Sequence, residues 1–211
     1  AELAGSCGVS YQLGGGAWAN GIVASGLDSP YAVAVGDLDR DGDGDVVIGQ
    51  MWNIPLGTPP YPAEDAEILW ARNPKFGGGG WQIFGISYLS SAGVRRIALA
   101  DLDDDGDLDI AATTVDTGGG ADAVYWFAND GTPSDGGWDT HAVSVVGELT
   151  EPWGLAAADV DGEGDLDLVA ADRSDDEVRW YESDGVPSDH WTVHLIGTLD
   201  GAISVAAGDI D

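Results

Sequence analysis

The chain has 211 residues, 44% of them apolar, with 33 Gly and 9 Trp, enough to build one large domain around a buried core. Its 38 acidic residues against 7 Lys and Arg give a formal charge of −31. That balance excludes nucleic acid and insertion at an anionic membrane, because both need a basic face. A single cysteine, Cys7, excludes an intrachain disulfide.

No apolar run reaches transmembrane length. No signal peptide is visible, so a secreted chain would stand here in mature form. The abundant Gly, aromatic and β-branched residues favour an all-β fold with tight turns.

Taken in chain order, the pattern starts with two strand-like stretches, GVSYQL (8–13) and WANGIVAS (18–25). YAVAVGD (31–37) follows, then the acidic run DLDRDGDGD (37–45), then the apolar VVIGQM. Residues 52–65, WNIPLGTPPYPAED, form an insertion whose prolines exclude ladder pairing. EILWARN (67–73) and WQIFGIS (81–87) close the unit.

The same order returns twice. RIALAD leads into DLDDDGDLD at 101, then AVYWFAND and WDTHAVS; GLAAAD leads into DVDGEGDLD at 159, then EVRWYESDG and WTVHLIG. ISVAAGD and a partial loop, DID at 209, end the sequence. Each unit reads as four short strands, and repeated four-stranded units stacking their faces indicate a β-propeller. No window carries a helical period.

The expected organisation is one repeat domain over 1–211: a partial blade at 1–28, blades at 29–92, 93–151 and 152–200, and a first strand at 201–211. Three blades are thus complete, and one is split between the N- and C-termini.

Asp disfavours strand interiors, so five of them between two good strands need a reason. Alternate carboxylates on a tightly curved loop converge, and a hard cation such as Ca²⁺ takes about six to eight oxygens. The expected metal ligands are Asp37, Asp39, Asp41, Asp43 and Asp45; Asp101, Asp103, Asp105, Asp107 and Asp109; and Asp159, Asp161, Glu163, Asp165 and Asp167. The seventh-position residues Asp43, Asp107 and Asp165 stand where a backbone carbonyl would be the ligand. Asp209 and Asp211 form an incomplete fourth site.

An EF-hand is excluded, since its twelfth position would fall on Ile48, Ala112 and Ala170 rather than Glu. Zinc is disfavoured because the loops hold neither Cys nor His. Solvated acidic turns are the plain alternative, and three copies with one spacing argue against it. A metal in such a loop is structural rather than catalytic.

The loops DLDRDGDGD, DLDDDGDLD and DVDGEGDLD, with VRWYESDG and WTVHLIG, resemble the FG-GAP/VCBS-type calcium-binding propeller repeats related to the integrin α-subunit propeller. The resemblance covers essentially the whole chain. It implies about three structural Ca²⁺ sites, an extracellular or cell-surface location and a role in adhesion or carbohydrate contact.

Nothing marks a catalytic site. His141 and His194 take one repeat position, where Phe84 stands in the first unit, which argues for packing. No nucleophile, base and orienting acid cluster in sequence, and no two carboxylates stand apart from the loops as a glycosidase pair. Trp70, Trp126 and Trp180 share one repeat position, and Trp18, Trp81, Trp138 and Trp191 share another; both series read as packing. Trp52 and Tyr61, in the insertion, are the candidate ligand-binding residues. Arg95 and Arg96 form a small basic spot suited to an acidic patch on a neighbour.

The reading is a non-enzymatic, calcium-stabilised extracellular structural or adhesion protein. The split blade offers self-association through the terminal strands, head to tail, as a ring or filament. A lectin-like glycan-binding propeller, or an accessory propeller of a larger secreted or polysaccharide-active protein, are the alternatives. Either a glycan or a protein could be the ligand.

Overall fold

In the computed structural model, the described residues are 5–13, 17–27, 29–51, 67–74, 80–87, 92–116, 122–145, 147–185 and 191–209. Trp52, Tyr61 and Asp211 lie outside them.

The fold is all-β. A two-stranded antiparallel pair, β1 (Gly5–Leu13) and β2 (Ala17–Leu27), precedes three four-stranded sheets. The first sheet is β3 (Pro30–Gly36), β4 (Asp45–Gln50), β5 (Ile68–Arg72) and β6 (Gln82–Ser87). The second is β7 (Ala92–Ala100), β8 (Asp109–Asp116), β9 (Ala123–Ala128) and β10 (Asp139–Ala142). The third is β11 (Pro152–Ala158), β12 (Asp167–Asp172), β13 (Glu177–Glu182) and β14 (Thr192–Thr198).

Within each sheet, sequence neighbours pair antiparallel in order. No helix occurs among the described residues. Each acidic loop is the hairpin between a sheet's first and second strands.

The three sheets share one register. Val33 pairs with Ile48, Ile97 with Ala112 and Leu155 with Ala170. Val47, Ala111 and Val169 pair with Trp70, Trp126 and Trp180. The repeat seen in sequence is therefore a repeat in space.

Stacking of the sheets explains their apolar runs. Val47, Ile68 and Trp70 from the first sheet meet Val94, Ile110 and Phe127 from the second in one buried cluster. Ala111, Val124 and Trp126 from the second meet Leu168, Ala170 and Tyr181 from the third in another. The opposite face of the first sheet, Val46, Ile48 and Leu69, packs on Val23, Ala24 and Leu27 of β2. Strand β4 is covered on both faces and reads as continuously apolar for that reason.

First strands contact one another from sheet to sheet, β3 with β7 and β7 with β11. Strand β4 also approaches β7, closely enough that a Cβ on Gly49 would stand 2.5 Å from Val94 Cγ1. Ser204 and Val205 lie against Gly154 of β11.

The fourth strand of each sheet, expected to open on Trp, starts one residue later, with Trp81, Trp138 and Trp191 just outside β6, β10 and β14. The inner aromatic series stacks instead on the next strand. Trp70 lies on Phe84 at 4.7 Å between ring centroids, Trp126 on His141 at 4.6 Å and Trp180 on His194 at 4.4 Å. The two histidines are aromatic lids, over the buried Trp126 and the half-buried Trp180.

Candidate metal-binding loops

The three loops curve in the same way. Their fourth residues, Arg40, Asp104 and Gly162, have φ of 54°, 57° and 81°. Their sixth residues, Gly42, Gly106 and Gly164, have φ of 93°, 90° and 105°. Gly at the sixth position supplies a left-handed turn that side chains resist. Two such residues one apart fold the loop back on itself and aim alternate carboxylates inward.

The ninth-position Asp is a clamp. Asp45 accepts the N–H of Leu38 at 3.2 Å and of Asn73 at 2.7 Å, one on each oxygen. Asp109 does the same with Leu102 at 3.0 Å and Asn129 at 2.8 Å. Asp167 repeats it with Val160 and Ser183, both at 2.9 Å. The clamp ties the loop's start to the end of the sheet's third strand. All three carboxyls are buried, and desolvation raises their pKa, that of Asp109 to about 7. The stacked indole beside each one, from Trp70, Trp126 or Trp180, opposes that rise.

Carboxylates converge in each loop, and in the second and third the clamp Asp is one of them. Asp37, Asp39 and Asp41 bring one oxygen each within 4.8 Å of one another, as do Asp101, Asp103 and Asp109, and Asp159, Asp161 and Asp167. Of the residues read as ligands from sequence, these nine are brought together. Asp43, Asp45, Asp105, Asp107, Glu163 and Asp165 lie outside the three clusters, and Asp209 is exposed.

In the first loop, Asp37 accepts N–H groups from Asp41 and Gly42 on separate oxygens. In the third, Asp159 holds Gly162 and Gly164 in the same way. In the second, Oδ1 of Asp101 is buried with no hydrogen-bond partner. Burial also raises the pKa of Asp103, helped by the charges of Asp105 and Asp101.

An all-carboxylate donor set with an orphaned buried oxygen fits a hard, oxygen-seeking divalent cation. The clustered residues would hold it. When bound, it supplies positive charge that offsets the repulsion among carboxylates.

Basic residues near the loops were not visible as partners in the sequence. Arg72, the last residue of β5, places Nε 2.6 Å from Asp39 Oδ2 and an Nη 3.8 Å from Asp41 Oδ2. Arg40 reaches from the first loop to the second, with Nε 2.7 Å from Asp107 Oδ1. The signal available was the scarcity of cations: two of only 7 Lys and Arg residues sit beside acidic repeats.

Arg95, expected to face a neighbouring molecule, is used inside the chain. Its guanidinium lies 4.1 Å from the ring centroid of Trp153 and 3.6 Å from Glu151. The physical reason is the convergence of the first strands, which brings three sheets together at that end.

Residues 101–170 and 159–211 match the FG-GAP-like repeat, and residues 29–58 match the FG-GAP repeat. The chain belongs to the FG-GAP-like repeat family. Among solved structures it is similar to a lectin from Agrocybe aegerita, described for specific recognition of non-reducing terminal N-acetylglucosamine. The two are 18% identical with a TM-score of 0.50, over 92% of this chain and 46% of the lectin.

That likeness concerns the fold, a β-propeller type built of four-stranded blades. The FG-GAP-like chain spans less than half the lectin's length. No curated protein matches it. No helix among its described residues is long and apolar enough to cross a membrane.

Proposed function

We propose that the protein is a non-enzymatic, calcium-stabilised structural or adhesion module of the extracellular space or cell surface. The observation that carries this reading is the threefold recurrence of one loop curvature, with a buried clamp and three converging carboxylates each time, the clamp itself being one of the three in the second and third loops. Three Ca²⁺ ions would remove six of the 31 formal negative charges and leave the surface strongly acidic. The test is thermal unfolding of metal-stripped protein, with Ca²⁺ or Mg²⁺ added back. At a free Ca²⁺ of about one hundred times Kd, each site contributes about 2.7 kcal/mol, so a rise in Tm of several degrees per site is expected. An unchanged Tm refutes the cation reading.

Head-to-tail self-association extends this proposal. Val33 and Val35 on β3 are 59% and 66% exposed, whereas their register equivalents Ile97, Leu99, Leu155 and Ala157 pack into the inter-sheet clusters. A blade face seated on β3 would cover them. Light scattering with and without chelator tests this; a monomer under both conditions removes it.

A second reading is glycan binding. It is favoured by an aromatic and polar cluster where β3, β7 and β11 begin. Tyr31, 44% exposed, stands edge-on to Trp153 at 6.4 Å, and Arg95 and Arg173 both pair with Glu151. Rings beside planar polar groups suit the apolar face and hydroxyls of a pyranose. The lectin's printed specificity makes terminal N-acetylglucosamine the first ligand to test. A glycan array that stays blank, or binding unaffected by Tyr31→Ala, refutes this site.

A further inference from the structure

One repeat position beside the acidic loops changes charge from sheet to sheet. It is the last residue of each sheet's third strand: Arg72, Ala128 and Glu182. Each directly precedes the residue whose N–H clamps the ninth-position Asp, namely Asn73, Asn129 and Ser183. The equivalence is therefore fixed by hydrogen bonds as well as by alignment. The series runs positive, neutral, negative.

Its positive member is engaged with the first cage. The Arg72 guanidinium contacts two of the three carboxylates that converge there, Asp39 and Asp41. No guanidinium contacts the second trio: Arg40 meets Asp107, which is outside it. In the third sheet, Glu182 occupies the position and is held by His194 Nε2 at 2.5 Å.

We propose that this strand-end residue ranks the cation affinities of the loops, with Arg72 acting as a built-in counter-cation that makes the first loop the weakest site. The inference rests on the cation-binding reading above. A cation entering the first loop must displace a guanidinium from Asp39, or share the carboxylate with it. Arg stays charged at every accessible pH, so acidity does not relieve the competition. Among the described residues the second trio meets no guanidinium, Arg40 being held by Asp107 in the same loop, and the third sheet carries a carboxylate at the position equivalent to Arg72.

Each loop also has its own indole, Trp70, Trp126 or Trp180, acting on the clamp Asp. Terbium bound there can be excited through Trp. Calorimetric Ca²⁺ titration and terbium luminescence of the metal-stripped chain are therefore the measurements. The native protein is expected to show one weak site and two tighter ones. Arg72→Gln should tighten the weak site by about fivefold, the worth of a part-exposed ion pair. Ala128→Arg, which copies the first loop's arrangement into the second, should weaken one of the tighter sites by a similar factor.

Three equal sites that Arg72→Gln leaves unchanged overturn the ranking while leaving the cation reading in place. No binding in any variant overturns both. Far-UV circular dichroism checks that each variant folds. Arg72 is exposed enough for Arg72→Gln to decide the question alone if Ala128→Arg does not fold.

Discussion

In the second loop, Asp109 is wholly buried and commits both oxygens to backbone N–H groups of Leu102 and Asn129. Asp101 and Asp103 belong to the same cluster yet are only partly buried, and Oδ1 of Asp101 has no partner at all. The two kinds of carboxylate share a motif but answer to different demands. One holds the polypeptide in its turn whether or not a cation is present. The other creates a field that only a cation relieves. The difference teaches that the fold and the binding site overlap in sequence while being separable in energy.

The largest effect should come from breaking the clamp. Asp109→Ala leaves two buried N–H groups without acceptors, each costing about 1–3 kcal/mol. Loss of about 4 kcal/mol is expected, read by urea unfolding. Most of the loss should persist in chelator, because the clamp acts without a cation. A loss confined to Ca²⁺ would leave Asp109 a ligand with no clamping role and collapse the distinction.

Acidity probes the same division. In the cation-free protein, burial raises the pKa of Asp109 to about 7, and it raises those of Asp45 and Asp167 as well. Between the unfolded value near 4 and the folded one, the native state binds more protons than the unfolded state. Stability therefore falls as pH rises through that window. Metal-stripped protein should melt higher at pH 5 than at pH 8, by about 5 °C or more. Ca²⁺ should reverse or flatten the slope, because it favours the ionised carboxylates. A stripped protein that is more stable at pH 8 refutes the burial argument.

Asp101→Ala sharpens the contrast from the side of the cage. In Ca²⁺ it removes a ligand and should cost about 2 kcal/mol, much of one site's contribution. In chelator it removes a carboxylate with an orphaned buried oxygen and its repulsion with Asp103, so the variant should be as stable as the parent or more so. A change of sign on adding chelator is the expected signature, and equal losses in both conditions would contradict it.

Much of this was legible in the sequence, for a physical reason. Strand alternation, turn glycines and alternate aspartates are local features, and the repeat displayed each of them three times. The DLD…GD spacing therefore revealed both the hairpin and its charge. The separate role of the ninth position was not legible, because its partners Asn73, Asn129 and Ser183 lie 28, 20 and 16 residues away. Spacing alone presented Asp45, Asp109 and Asp167 as ligands and left their clamping role unseen. Arg72 was hidden in another way: it ends an apolar strand, and only the closing of the sheet brings it over the loop. The internal use of Arg95 depended on three sheets converging, which no single repeat displays.

The smallest expected effect concerns the histidines. His141 lies 4.6 Å from Trp126, close to parallel, where Phe84 covers Trp70 in the first sheet. A flat ring is what the position selects, and the stack is worth about 0.5–1.5 kcal/mol beyond area burial. His141→Phe keeps the ring and should change stability by less than about 1 kcal/mol, whereas His141→Ala should cost more by exposing the indole of Trp126. The asymmetry between the two substitutions, measured by unfolding at fixed Ca²⁺, separates packing from chemistry. An imidazole needed for its nitrogen atoms would fail equally with Phe and with Ala, and that outcome would return His141 to the list of candidates for catalysis.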